Sequence, residues 1–216
     1  MLDQQLPFQE RQMTRMGLVA FLLGDCIDSV SRTMRLAKYA TDPGGQDYHW
    51  AAKLAAARMF GEDLSFDQAV SEVMASIKRD HQRRDNQDAL KTLYDWKIAH
   101  PGLSKQPPAG ELTGPCGELT ITLKPVFALE RKGITTAYVP WMFKDVRLTA
   151  QVAGIGVHLL ELGLQKEEYA AWRFALIDTV SGKCFNRTHK HTTEAAYFAV
   201  RTTEEMLIAA QTSRAA

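Results

Sequence analysis

The chain has 216 residues, with 26 basic against 25 acidic side chains, 45% hydrophobic and 24% charged residues. That balance excludes a globally polybasic or polyacidic protein and a disordered one, and the length is enough to bury a core without disulfides or a metal. Three widely spaced cysteines, Cys26, Cys116 and Cys184, argue against a disulfide framework and fit a reducing compartment.

In chain order, the first element is an apolar run from Gly17 to Gly24. Acidic residues precede it and no small-residue cleavage site follows. It is too short to span a bilayer and poor as a signal peptide, so the expectation is a cytoplasmic chain with no membrane contact. From Glu10 to Ala40 apolar residues recur at helical spacing (Met13, Met16, Val19, Leu23, Ile27, Val30, Met34), which predicts one long helix stopped by Asp42-Pro43-Gly44-Gly45. Its stripe is read as core or as a partner-binding face. Asp47 is placed to cap a second helix over 48–60, ended by Gly61. Ser65 with Gln68 three residues on forms a capping box that opens a third helix. A fourth runs from about Asn86 to Ala99 and is closed by His100-Pro101-Gly102.

Residues 101–117 carry four prolines and four glycines and read as a linker between a helical region, 1–100, and a mixed-sheet region, 118–216, the two packed together or separate. In the second region Glu118–Leu123 alternates with period two, and Val126–Leu129 is a short apolar run. Lys132-Gly133 reads as a hairpin turn. Ile134–Phe143 is the return strand, with Pro140 suited to an edge or a bulge. Helical spacing returns over 146–163, Ala171–Val180 is a strand, and Ser181-Gly182 turns into a short partner over Lys183–Arg187. A last helix runs from Thr193 to about Ala210. The fold class is α+β: a helical half, then a mixed sheet flanked by helices in the order α-β-β-β-α-β-α.

Chemistry begins with acids beside a lysine. Metal-dependent nucleases of one large class hold a divalent cation with two acids. A lysine two residues after the second acid, on the same strand face, stabilises the charge of the reaction. Here Glu130-Arg131-Lys132 ends a strand, with Glu118 earlier, and Asp95-Trp96-Lys97 lies on a helix. Roughly one such triplet is expected by chance at this composition, so the triplets read first as a charged hairpin end and a solvated helix face. The order of elements says more. Val146–Gly154 places Gln151 near the start of a helix, His158–Gly163 ends it, and Phe174–Asp178 leads into Ser181-Gly182-Lys183. Over roughly residues 85–212 this cadence resembles the core of the PD-(D/E)XK nuclease superfamily, especially its RecB-like and phage-exonuclease branches. The resemblance implies a mixed sheet with a crossover helix and, in an active member, Mg²⁺ held by Glu118 and Glu130 with Lys132 and Gln151 assisting. Two positions depart from the pattern: Ile155 stands where a tyrosine is expected, and Val139–Lys144 has no acid where the acid-x-Lys is expected. The resemblance therefore implies a binding module on a nuclease-like fold, with an eroded catalytic centre.

Cys184, His189, His191 and distant Cys116 have no common metal-ligand spacing, and no metal site is expected from them. Among the basic residues, the run Lys78–Arg84 includes Arg83 and Arg84, and a second set comprises Lys144, Arg147, Arg187 and Lys190 with Trp141, Phe143 and Phe185 nearby. Cations gathered on one surface bind phosphates, and neighbouring aromatics stack bases. Three functions follow: a non-catalytic nucleic-acid-associated subunit of a larger assembly, an Mg²⁺-dependent nuclease, or a structural protein-binding subunit without nucleic acid. The first fits the residues best. Nucleic acid and a protein are the expected partners, and no cofactor is expected beyond Mg²⁺ in the nuclease case.

Overall fold

The structure is a computed structural model, which describes residues 13–26, 28–41 and 47–215. The elements are β1 (Thr14–Gly17), α1 (Leu18–Cys26), α2 (Ser29–Thr41), α3 (Trp50–Gly61), α4 (Phe66–Ala69) continuing into a π-helical turn over Val70–Met74, α5 (Asp80–Ala99), β2 (Leu103–Lys105), β3 (Gly110–Thr113), β4 (Leu119–Leu123), β5 (Phe127–Arg131), β6 (Ile134–Trp141), α6 (Ala150–Leu164), a 3-10 turn over Glu167–Tyr169, β7 (Arg173–Asp178), β8 (Cys184–Phe185) and α7 (Thr192–Ala215).

A five-stranded mixed sheet has the order β2-β5-β6-β7-β8. Neighbours are antiparallel except β6 and β7, which are parallel and joined through α6. Parallel neighbours need such a crossover. Side chains alternate across this sheet: Phe174 and Leu176 of β7 join the core built with α1, α6 and α7, while Ala175 and Ile177 join the core built with α3 and α5. With both faces covered, the strands read as nearly continuous apolar runs. A second sheet, β1-β4-β3, adds Leu119, Ile121 and Leu123 of β4 to the α6 side. The α+β class and the expected order of elements are present, and no helix among the described residues is long and apolar enough to cross a membrane.

The first expected helix is three elements. Thr14–Gly17 pairs in parallel with Leu119–Thr122, so a contact about a hundred residues away overrides local helical spacing. Asp28 then starts a new helix: its carboxylate accepts the amides of Val30 and Ser31, both at 3.0 Å, and the Ser31 hydroxyl at 2.6 Å. These are donors that a helix start leaves open. Of the stripe, Met16 and Leu23 are buried, whereas Met13, Val30 and Met34 face outward; the core side of this stretch is filled by Phe21, Leu22 and Leu36, which the stripe does not include. The expected stop at 42–45 and the first twelve residues lie outside the described residues.

The segment read as a linker contains β2 and β3, which pair with β5 and β4. Behind it, Glu204 of α7, fully buried, accepts the amides of Cys116, Glu118 and Leu119 at 2.7 to 3.1 Å. Gly114 permits this approach: a Cβ there would lie 2.7 Å from the Glu204 carboxylate. The capping box at Ser65 and Gln68 forms as expected. Lys132 and Gly133, both at positive φ, make the tight turn between β5 and β6. Pro140 lies on a central strand, but β5 ends its pairing at Tyr138. Beyond Tyr138, β7 is the only strand flanking β6 among the described residues, so a residue without an N–H fits there. On that side of β6, which carries no neighbouring strand among the described residues, a cleft opens at its carboxyl end.

Candidate functional site

The cleft has a volume of about 610 Å³ and lies between the carboxyl end of β6, strand β1, helix α2 and the start of α3. Its floor is apolar, formed among others by Val126, Val139, Met142 and Phe143, and its walls carry Arg15, Arg35, Lys38, Lys53 and Lys124. Against these five cations stands one acid among the described lining residues, Asp47. Asp47 pairs with Lys53, and Arg15 pairs with Glu111 at 3.1 Å across two exposed side chains. Lys124, in the connection from β4 to β5, is exposed and makes no ion pair among the described residues. Burial alone would raise the Asp47 carboxyl, but the Lys53 ammonium and the His49 amide together hold it below its ordinary value. The cleft is thus a cationic cavity with one carboxylate that stays charged.

The 47–53 segment is held from α5. Gln82, Asp85 and Asn86 are three and four residues apart and share one helix face. Gln82 and Asn86 both donate to the Tyr48 carbonyl, at 2.8 and 3.1 Å. Asn86, with no exposed surface, also accepts the Ala52 amide at 3.0 Å in the first turn of α3. The Tyr48 hydroxyl donates to Asp85 at 2.7 Å, and Lys144 reaches the other Asp85 oxygen at 2.7 Å. Lys144 and then the Tyr48 hydroxyl hold the Asp85 carboxyl below its ordinary value, while burial, reinforced by Asp85, pushes Tyr48 up to about 12. Asp47 does not cap α3, whose N-cap is His49 without a side-chain cap; it caps the turn before the helix, where its carboxylate accepts the His49 amide and its carbonyl the Trp50 amide.

His49 stands at the centre. Only 4% of it is exposed, and its Nδ1 has no hydrogen-bond partner among the described residues. Its ring packs edge-on against Phe143 with centroids 5.5 Å apart and against Tyr48 at 4.9 Å. Burial, aided by Lys53 and opposed by Asp47 and Asp85, lowers its pKa from 6.5 to about 4, so the imidazole is neutral at neutral pH. Tyr48, His49, Met142 and Phe143 also bound a second cavity of about 530 Å³. That one is acidic, with Asp85, Asp88 and Asp145 against Lys144.

No family model matches the chain, and no curated protein matches it either. The site therefore rests on its own geometry.

The residues singled out from sequence lie elsewhere. Glu118 precedes β4 in the three-stranded sheet, where its amide is bound by Glu204. Glu130 lies near the end of β5 in the other sheet and pairs with Lys105 at 3.0 Å. Lys132 is exposed in the turn beyond it, and Gln151 is exposed at the start of α6. Among the described residues, no three His, Cys, Asp or Glu side chains gather as a metal-holding group. Arg83 is an internal fastener, donating to the Ile77 carbonyl at 2.6 Å, while Arg84 is exposed. Lys144 lines the acidic cavity, bridged to α5 by Asp85. Arg147 precedes α6. The loop carrying Arg187 and Lys190 packs on that helix at Gly154, where a Cβ would lie 3.5 Å from the Arg187 carbonyl. Trp141 is fully buried and donates to the Val146 carbonyl at 2.8 Å. Phe143 alone of the three aromatics reaches the cleft. None of the ten residues read from sequence as catalytic or nucleic-acid-binding lines the basic cleft. Its cations come from separate stretches of chain (15, 35–38, 53 and 124) and form no local run, so only their shared sign in space reveals them.

Proposed function

We propose that the chain is a non-catalytic nucleic-acid-associated protein on a nuclease-like fold, acting within a larger assembly. The observation that carries the reading is the cleft: five arginines and lysines from different elements converge over an apolar floor at the carboxyl end of a central strand. In open α/β sheets ligands bind outside the carboxyl ends of the strands, and phosphates are the anions such a set of cations serves best. The sheet order, with α6 crossing between parallel β6 and β7, supports the resemblance to the PD-(D/E)XK core. Val139 and Phe143 stand in the region where that family carries its acid-x-Lys, so the reading includes binding and no cleavage. Exposed Tyr197 and Phe198 on α7 support a protein partner on a different surface.

The test is a gel shift with single- and double-stranded DNA and RNA, titrated with salt, with and without Mg²⁺. The reading expects a shift that weakens steeply as salt rises, and no cleavage. Cleavage lost in Glu130→Ala would establish the nuclease instead. Absence of a shift at low salt would leave only the structural subunit.

A further inference from the structure

The cleft is a bounded cavity, not a flat basic face. A volume of about 610 Å³ is that of a small-molecule pocket, and a duplex presents its phosphates on a broad convex surface that cannot enter it. The walls and floor differ in chemistry: charge at the rim, aliphatic and aromatic carbon beneath. A ligand that satisfies both has an anionic end and a flat, largely apolar body. The buried His49 adds a third demand. Its ring lines the cavity; Nδ1 is sealed from the cavity surface and has no partner among the described residues, so the ring nitrogen left to a ligand is Nε2. Within a cavity already rich in cations, a neutral imidazole suits a base edge or a sugar hydroxyl better than a second phosphate.

We infer that this cleft takes one nucleoside monophosphate unit, free or as the phosphorylated end of a single strand, with its phosphate among Arg15, Lys53 and Lys124 and its base over Val139 and Phe143 beside His49. The inference rests on the nucleic-acid reading and narrows it: recognition is of a terminal nucleotide, and internal strand or duplex is held only outside the cleft. No bond is made or broken. Lys53 already has a carboxylate partner in Asp47, so its ammonium is positioned before the phosphate arrives, and Lys124 brings an ammonium with no ion pair of its own among the described residues.

The experiment is calorimetry and competition on the full chain with five probes. They are 5′-AMP, adenosine, inorganic phosphate, and a short oligothymidylate with and without a terminal phosphate. The expected result is that 5′-AMP or the phosphorylated end binds at least about tenfold more tightly than adenosine, inorganic phosphate or the unphosphorylated strand. Competition by 5′-AMP assigns a free nucleotide as the ligand, and preference only for the phosphorylated strand assigns the strand end. Lys124→Ala, an exposed substitution that leaves the fold intact, weakens that binding by about tenfold. His49→Gln, which retains a polar group, reduces the preference for 5′-AMP over inorganic phosphate. Inorganic phosphate binding as well as 5′-AMP would overturn the inference, since the apolar floor would then contribute nothing. Salt-sensitive binding of nucleic acid with no effect of the terminal phosphate would overturn it while leaving the nucleic-acid reading in place. No binding of any probe or nucleic acid at low salt would remove both.

Discussion

Lowering the pH from 7 toward 4 should unfold this protein partly through one side chain, His49. The folded chain holds its pKa near 4, against 6.5 for the exposed imidazole of the unfolded chain. Between those values the unfolded state binds a proton that the folded state refuses. Stability therefore rises with pH through this window: the contribution is fully present above pH 6.5 and is lost as the pH falls toward 4. Each pH unit between the two values is worth about 1.4 kcal/mol, so the full loss is about 3 kcal/mol, most of it gone by pH 4.5. In a chain of this length, 1 kcal/mol moves the melting temperature by roughly 2–4 °C. The assay is thermal or urea unfolding of wild type and His49→Gln over the same pH range. Carboxylates such as Asp47 and Asp85, held below their ordinary value in the fold, also lose stabilisation in acid, but they are held there mainly by Lys53, Lys144 and Tyr48, which both proteins keep, so the carboxylates largely cancel in the comparison. The difference between the two pH profiles isolates the imidazole. If the profiles run parallel from pH 7 to 4, His49 is not the buried, neutral group described above, and its place between the two cavities is wrong.

Other consequences are equally direct. Glu204→Ala leaves the amides of Cys116, Glu118 and Leu119 without their acceptor and should cost about 2–4 kcal/mol in urea unfolding, with Glu204→Gln costing less because one oxygen remains. Asn86→Ala orphans the buried Ala52 amide and frees the Tyr48 carbonyl of one donor. It should cost about 2 kcal/mol or more and weaken ligand binding at the cleft, because the 47–53 segment loses its anchor on α5. A Cβ at Gly163 would collide with the buried Leu123 side chain, so Gly163→Ala should destabilise by about 1–3 kcal/mol through overpacking, visible in the melting temperature. Glu130→Ala, which removes only the partly exposed pair with Lys105, should change stability by less than about 1 kcal/mol and leave nucleic-acid binding untouched.

Much of the fold was legible because its signals are local. The Ser65–Gln68 capping box, the Lys132-Gly133 turn and the apolar runs of β5, β6 and β7 each appear in a few consecutive residues. The runs are long because the sheet is covered on both faces. What was not legible depends on distant partners. Thr14–Gly17 continues a helical stripe in sequence and becomes a strand only because Leu119–Thr122 lies beside it. Residues 101–117 read as a linker because prolines and glycines dominate, yet two short strands form where β4 and β5 supply hydrogen-bonding neighbours. The cleft was hidden for the same reason. A local search favours dense runs such as Lys78–Arg84, and in the structure Arg83 of that run is spent on the Ile77 carbonyl. Arg15, Lys53 and Lys124 are isolated in sequence, and His49 is a single histidine before a helix whose burial no periodicity announces.

The central claim is that converging cations in the cleft bind phosphates, and fluorescence anisotropy of a single-stranded oligonucleotide with a 5′-phosphate and a 3′ label, over a range of salt, tests it most directly. Wild type should show log affinity falling linearly with log salt. Lys124→Ala should weaken binding and make that slope shallower by about one, while Lys132→Ala, in the β5–β6 turn outside the cleft, should do neither. Failure to bind at low salt, or equal slopes for wild type and Lys124→Ala, would contradict the account.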